Sequence, residues 1–186
     1  MSLGKVNREM QKIKYKVPNI ITVIRIILVL LVAFAIIKDW KGISILFFTV
    51  LIYISDMLDG YLARRLNAES ICGRWLDIMA DGLYVVGITA IFTYSAIISP
   101  VVLESIIIEY LFFIFTSKFL SGKGHNIYDK IGKFVEGYYY SFTGIIIVVW
   151  MKDLSVSILL NHLSVVCVVL TVIGCVCRLQ IIYLKV

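Results

Sequence analysis

The sequence predicts an all-α polytopic membrane protein, a bundle of six transmembrane helices preceded by an N-terminal interfacial amphipathic helix, on three observations. Of its 186 residues, 61% are hydrophobic and only 16% charged, with a mean hydropathy of +0.97, beyond the apolar half or so of a soluble domain. Apolar runs almost free of charge recur at 26–37, 42–55, 82–103, 110–117, 137–151 and 154–177. These runs are continuous rather than alternating, so helices rather than barrel strands must satisfy the backbone in lipid.

Taken in order, the segment 1–17 places Val6, Met10, Ile13 and Val17 at helical spacing, with Lys5, Arg8, Lys12 and Lys16 available to the other side. That is the pattern of a helix lying in the membrane interface. Its long basic region and the lack of a small-x-small site argue against a cleaved signal peptide. Extending each apolar run to the roughly 20 residues a span needs gives helices at about 18–37, 43–63, 75–97, 101–120, 131–150 and 159–182. The connections are short and no repeat or low-complexity tract intervenes, so 18–186 reads as one six-helix domain. Loop cations set the orientation. The N-terminal segment, the 64–74 loop, the 118–133 loop and the C-terminus hold most Lys and Arg, whereas the opposite side has only Lys38, Lys41 and Lys152. Both termini are therefore expected in the cytoplasm. The net charge of +6 follows from this bias and from anionic headgroups, and is no sign of nucleic-acid binding. The cysteines, Cys72, Cys167, Cys175 and Cys177, show no C-x-x-C spacing and are expected as small buried hydrophobes.

Four carboxylates interrupt the apolar pattern: Asp56, Asp59, Asp77 and Asp81, within DMLDGYLARRLNAESICGRWLDIMAD. An acid at membrane depth needs a metal or an internal partner and marks a functional site. At 100° per residue, Asp56, Asp59, Gly60, Ala63 and Arg64 share an arc of about 140° on the second helix, and Gly73, Asp77 and Asp81 about 80° on the third. The two faces can meet across a short loop. Oxygen-rich sites suit hard divalent cations such as Mg²⁺ or Mn²⁺, and four aspartates suit two ions able to clamp a phosphoryl transfer. Gly60 and Gly73 allow close approach, Ala63 keeps the face shallow, and Arg64 can pair with a phosphate. Arg25, inside the first span, should face the bundle and find an acid or a phosphate.

The spacing D-x2-D-G-x2-A-R-x8-G-x3-D-x3-D resembles the signature of the CDP-alcohol phosphotransferases at every fixed position. Pro18-Asn19-x2-Thr22-x2-Arg25 is similar to the P-N-x-x-T-x-x-R opening of many bacterial members. The resemblance implies six helices, a membrane enzyme of phospholipid biosynthesis, and transfer of a phosphatidyl-type group from CDP-diacylglycerol to an alcohol with release of CMP. It implies two divalent ions on Asp56, Asp59, Asp77 and Asp81, with Asp81 also the general base. Gly60, Ala63, Arg64 and Gly73, with Asn19, Thr22 and Arg25, would contact the CDP-lipid. It further implies a homodimer in a prokaryotic plasma membrane with its site facing the cytoplasm.

The acceptor stays open. Lys118, Lys123, His125, Lys130 and Lys133 cluster in one loop region and suit an alcohol already bearing phosphate, such as glycerol 3-phosphate or inositol phosphate. Positive-inside bias predicts the same cluster. The stretch 107–133, with Glu109, resembles phosphatidylglycerophosphate synthases but departs from them at Gly82, Ile108 and Phe134, while Tyr128-Asp129-Lys130 is more like inositol-phosphate relatives. Two other classes also place acids in membranes. A divalent-metal channel would carry them near the midplane with inverted repeats, and a polyprenyl-diphosphate transferase shares the metal but not release of CMP.

Overall fold

A computed structural model describes residues 3–66, 68, 70–121, 130–152 and 157–185. Its elements are α1 (Leu3–Ile37), α2 (Ile43–Arg65), α3 (Ile71–Gly82), a π-helical turn (Leu83–Gly87), α4 (Ile88–Tyr94), α5 (Pro100–Ser121), α6 (Lys130–Met151) and α7 (Ser157–Lys185). No strand occurs among the described residues, so the chain is all-α as its composition predicts. Five described stretches are long and apolar enough to cross a membrane: Val17–Ile37, Ile43–Arg65, Cys72–Tyr94, Gly132–Met151 and Leu160–Gln180. The sixth long helix is α5, of 22 residues.

Three details differ from the sequence expectation. The first helix runs unbroken through Pro18 from Leu3, instead of starting there, because a proline inside a helix removes one donor without forcing a stop when the flanking turns are held. The third span begins at Ile71 rather than near 75, since the Ser70 hydroxyl accepts a hydrogen bond from the Gly73 N–H at 2.9 Å and caps the new helix. That span ends at Tyr94 rather than 97, where the turn places Ala96 in the left-handed region at φ 57°. Cys72 is exposed, and only Cys167 is fully buried, because Cys72 lies in the first turn of α3.

The chain divides into two compact units, Met1–Tyr84 and Val85–Val186. In the first, α1 packs against both α2 and α3. Thr22, Arg25, Val29, Val32 and Ile36 are buried along α1, and Ile45, Thr49, Ile52, Ser55 and Asp59 along α2. Spacings of three and four put each set on one stripe. The other side of α1 exposes Ile20, Val23, Ile27, Leu30 and Phe34, an apolar surface suited to lipid contact. Near the start of α3, a Cβ on Gly73 would lie 2.8 Å from Asn19 Oδ1 and 3.0 Å from Ser70 Oγ. Glycine is therefore what lets the α1 amide side chain sit on the first turn of α3.

In the second unit α7 packs against α5 and α6, and α4 against α5. Glu109 of α5 and Arg178 of α7 are both buried, with Arg178 Nε 3.8 Å from Glu109 Oε1. The Cys175 thiol donates to Glu109 Oε2 at 3.3 Å, and the Arg178 guanidinium lies 4.5 Å from the Phe113 ring centroid. A Cβ on Gly174 would come within 2.9 Å of Glu109 Oε1, so α7 leaves a notch for the carboxylate. Tyr139 of α6 and Thr171 of α7 pair through their hydroxyls.

Gly73→Ala should lower the melting temperature in detergent, and the loss should shrink in an Asn19→Ala background; equal losses in both backgrounds would show that the Asn19 contact is not what limits the site. Glu109→Ala and Arg178→Ala should each cost on the order of 3 kcal/mol, because each removes one member of a buried charge pair. Thermal melts of the double variant should show less than the summed loss.

Candidate functional site

The buried stripes of α1 and α2 continue into a polar cluster at the end of α2, where the chain returns through a short connection into α3. On α2, Asp56 and Asp59 occupy neighbouring turns; on α3, Asp77 and Asp81 are one turn apart. Arg25 reaches them from α1 and is fully buried. Its Nη1 donates to Asp81 Oδ1 at 2.8 Å and also to Asp56 Oδ1. Its Nη2 donates to Asp59 Oδ2 at 2.8 Å and also to Asp77 Oδ1. One planar head thus touches all four aspartates of the motif. One turn before it on α1, the Thr22 hydroxyl donates to Asp59 Oδ2 at 2.9 Å and to the Pro18 carbonyl at 3.2 Å.

Exposure is graded across this cluster. The side chains of Arg25, Asp59 and Asp81 are 0%, 5% and 15% exposed, whereas those of Asp56 and Asp77 reach 38% and 43%. The cluster is therefore open at Asp56 and Asp77, with Arg25 and Asp59 forming its floor. Among themselves, four carboxylates and one guanidinium carry a net negative charge, which favours cations at the rim.

The donor set fits a hard metal ion. Asp56, Asp59 and Asp77 each offer a carboxylate oxygen, and these lie within 4.8 Å of one another, near enough for small side-chain movements to gather them onto one ion. Asp81 is outside that trio but is joined to it through Arg25.

The remaining expected residues take different places. Asn19 and Gly73 contact each other, as the α1–α3 packing requires. The Gly60 position faces only its own helix, where a Cβ would meet Arg64 Nη1 at an ordinary 3.5 Å. Ala63 is half-buried and Arg64 exposed, leaving this side of α2 open to a ligand. Lys133 is exposed on α6. The side chains of Lys118, Lys123, His125 and Lys130 lie outside the described residues. The buried pair of Glu109 and Arg178 is the polar feature that sequence reasoning did not assemble. Arg178 reads as a loop cation near the C-terminus, and the available signal was that a helix carrying an acid and another carrying a base must neutralise each other inside a bundle.

Comparisons with known proteins converge on one group. A Mycobacterium tuberculosis protein named as a candidate cardiolipin synthase is 36% identical over 86 residues, 44% of this chain and 39% of that protein; a Mycobacterium bovis protein of the same name matches equally. A Pseudomonas fluorescens protein named as a CDP-diacylglycerol–glycerol-3-phosphate 3-phosphatidyltransferase is 37% identical over 71 residues, 37% of this chain and 36% of its own length. The chain thus matches well under half the length of these relatives. A family known to use divalent metals, and to take a CDP-lipid and an alcohol acceptor, matches far more of it. With residues 15–176 matched by the CDP-alcohol phosphatidyltransferase family model, and Arg25 and all four aspartates inside that range, the chain belongs to the CDP-alcohol phosphatidyltransferase family.

Proposed function

We propose that this protein transfers the phosphatidyl group of CDP-diacylglycerol to the hydroxyl of an alcohol acceptor and releases CMP. The observation that carries this reading is the convergence of Asp56, Asp59, Asp77 and Asp81 on one head group at the end of an apolar bundle. Asp56, Asp59 and Asp77 would hold two divalent ions together with Asp81, Mg²⁺ or Mn²⁺ by the hardness of their oxygens. When bound, such ions neutralise the diphosphate and the departing phosphate of CMP.

The chain's own residues would do the rest. Thr22 fixes the rotamer of Asp59 through its 2.9 Å hydrogen bond. Gly60, Ala63 and Arg64 would seat the cytidine diphosphate on the open side of α2, with Arg64 pairing with phosphate oxygens. Asn19 and Gly73 would hold α1 against α3 beside it, and Arg25 would face the diphosphate. Asp81 would accept the proton of the acceptor hydroxyl as its oxygen bonds to the phosphatidyl phosphorus and the bond from that phosphorus to the CMP oxygen breaks. A glycerol-type acceptor is favoured, because the Pseudomonas fluorescens relative is named for glycerol 3-phosphate; Lys118, Lys130 and Lys133 would receive the acceptor's phosphate. The bias of loop cations to one side supports a site and both termini facing the cytoplasm, and a homodimer in a prokaryotic plasma membrane is the assembly the family resemblance favours.

The test is CMP release from CDP-diacylglycerol by the purified protein in detergent with Mg²⁺ or Mn²⁺, across glycerol 3-phosphate, inositol phosphate and phosphatidylglycerol. Acceptor-dependent CMP, abolished by EDTA, is the expected result. Folded protein that releases none with any of them would overturn the reading and favour an ion channel or a polyprenyl transferase. Asp81→Asn should lower kcat by about 10²–10⁴-fold, as loss of a general base does, while CDP-diacylglycerol still binds; full activity would remove Asp81 from that role. Arg64→Ala should raise the KM for CDP-diacylglycerol about tenfold with a smaller change in kcat, the mark of lost ground-state binding.

A further inference from the structure

We infer that Arg25 is a tethered cation that competes with divalent ions for the four aspartates, so that the strength of its hold sets how tightly those ions bind. This rests on the metal reading proposed above and adds a role for a residue outside the acidic motif.

The competition is for the same carboxylates. Arg25 takes an oxygen from each of Asp56, Asp59, Asp77 and Asp81 through only its two terminal nitrogens. Three of those acids are the ones whose oxygens lie within 4.8 Å of one another. A lone pair directed at an N–H is not directed at a metal, and charge-assisted pairs of this kind are the strong ones. An ion entering over the exposed rim of Asp56 and Asp77 must therefore weaken contacts that Arg25 makes from the buried side.

The seat is also incomplete. Arg25 Nε is buried and has no hydrogen-bond partner, a state that costs free energy in a low-dielectric interior. A guanidinium held only as a permanent structural hub would gain by satisfying that nitrogen too. A guanidinium released from the acids is suited to bind incoming phosphate.

A permanent hub and a competing cation predict opposite signs. Were Arg25 a hub, neutralising it would scatter the acids and weaken ion binding. As a competitor, its removal strengthens ion binding. The experiment is Mn²⁺ binding to the full chain in detergent, followed by electron paramagnetic resonance of free Mn²⁺, comparing wild type, Arg25→Gln and Arg25→Lys. Arg25→Gln should bind Mn²⁺ at least about tenfold more tightly, a modest share of what several charge-assisted contacts can supply, and Arg25→Lys should fall between. Equal or weaker Mn²⁺ binding by Arg25→Gln overturns the inference while leaving the metal reading intact; no Mn²⁺ binding by either protein overturns both. Should Arg25→Gln not fold, the wild type supplies the readout through phenylglyoxal modification mapped by mass spectrometry. Arg25 should be protected in EDTA and modified when Mn²⁺ is added, and identical protection in both conditions overturns the inference.

Discussion

Burying charge is what organises the first unit. Four carboxylates at the ends of apolar helices repel one another, and in a low-dielectric surrounding that repulsion is large. Arg25 answers it from a third helix, with no exposure and contacts to every acid. The packing of α1 on α2 and α3 is thereby more than apolar complementarity. Thr22, Arg25, Val29 and Val32 form one stripe, and the polar end of it has meaning only because the acids are opposite. Lipid offers little hydrophobic drive for one helix to find another, so a charge cluster of this kind in the metal-free protein, together with the close contact of Asn19 and Gly73, specifies which faces meet.

The second unit solves the same problem at smaller scale. Glu109 and Arg178 come from different helices, and the notch at Gly174 and the thiol of Cys175 complete the surroundings of the carboxylate. The two buried charge clusters differ in access. The Glu109 and Arg178 side chains are sheltered at 7% and 9% exposure, whereas Asp56 and Asp77 open outward at 38% and 43%, so only the first cluster has an accessible rim.

Much of the first cluster was legible in the sequence, and for definite reasons. The acids recur at three- and four-residue intervals, which helical geometry converts directly into a face, and an arginine inside an apolar span has to find an anion. Six helical runs were legible because lipid demands length and continuity. What escaped depends on contacts between residues far apart in sequence, or on single hydrogen bonds. The early start of α3 rests on one serine hydroxyl, the π-helical turn at Leu83–Gly87 leaves no compositional trace, and the partnership of Glu109 with Arg178 requires knowing that α5 lies on α7. The passage of α1 through Pro18 was obscured by a residue that ends helices more often than it is carried inside them.

That uninterrupted α1 has a mechanical side. Thirty-five residues make a rod about 52 Å long, while the hydrocarbon of a bilayer is roughly 30 Å thick. The apolar stretch begins at Val17, so the surplus length lies at the amino end, in the segment whose sequence contains Lys5, Arg8, Lys12, Lys14 and Lys16. Arg25 rides on the same rod, only two turns further in. Surface and interior are thereby carried on one helix: the segment bearing the basic residues and the guanidinium at the floor of the acid cluster both belong to α1.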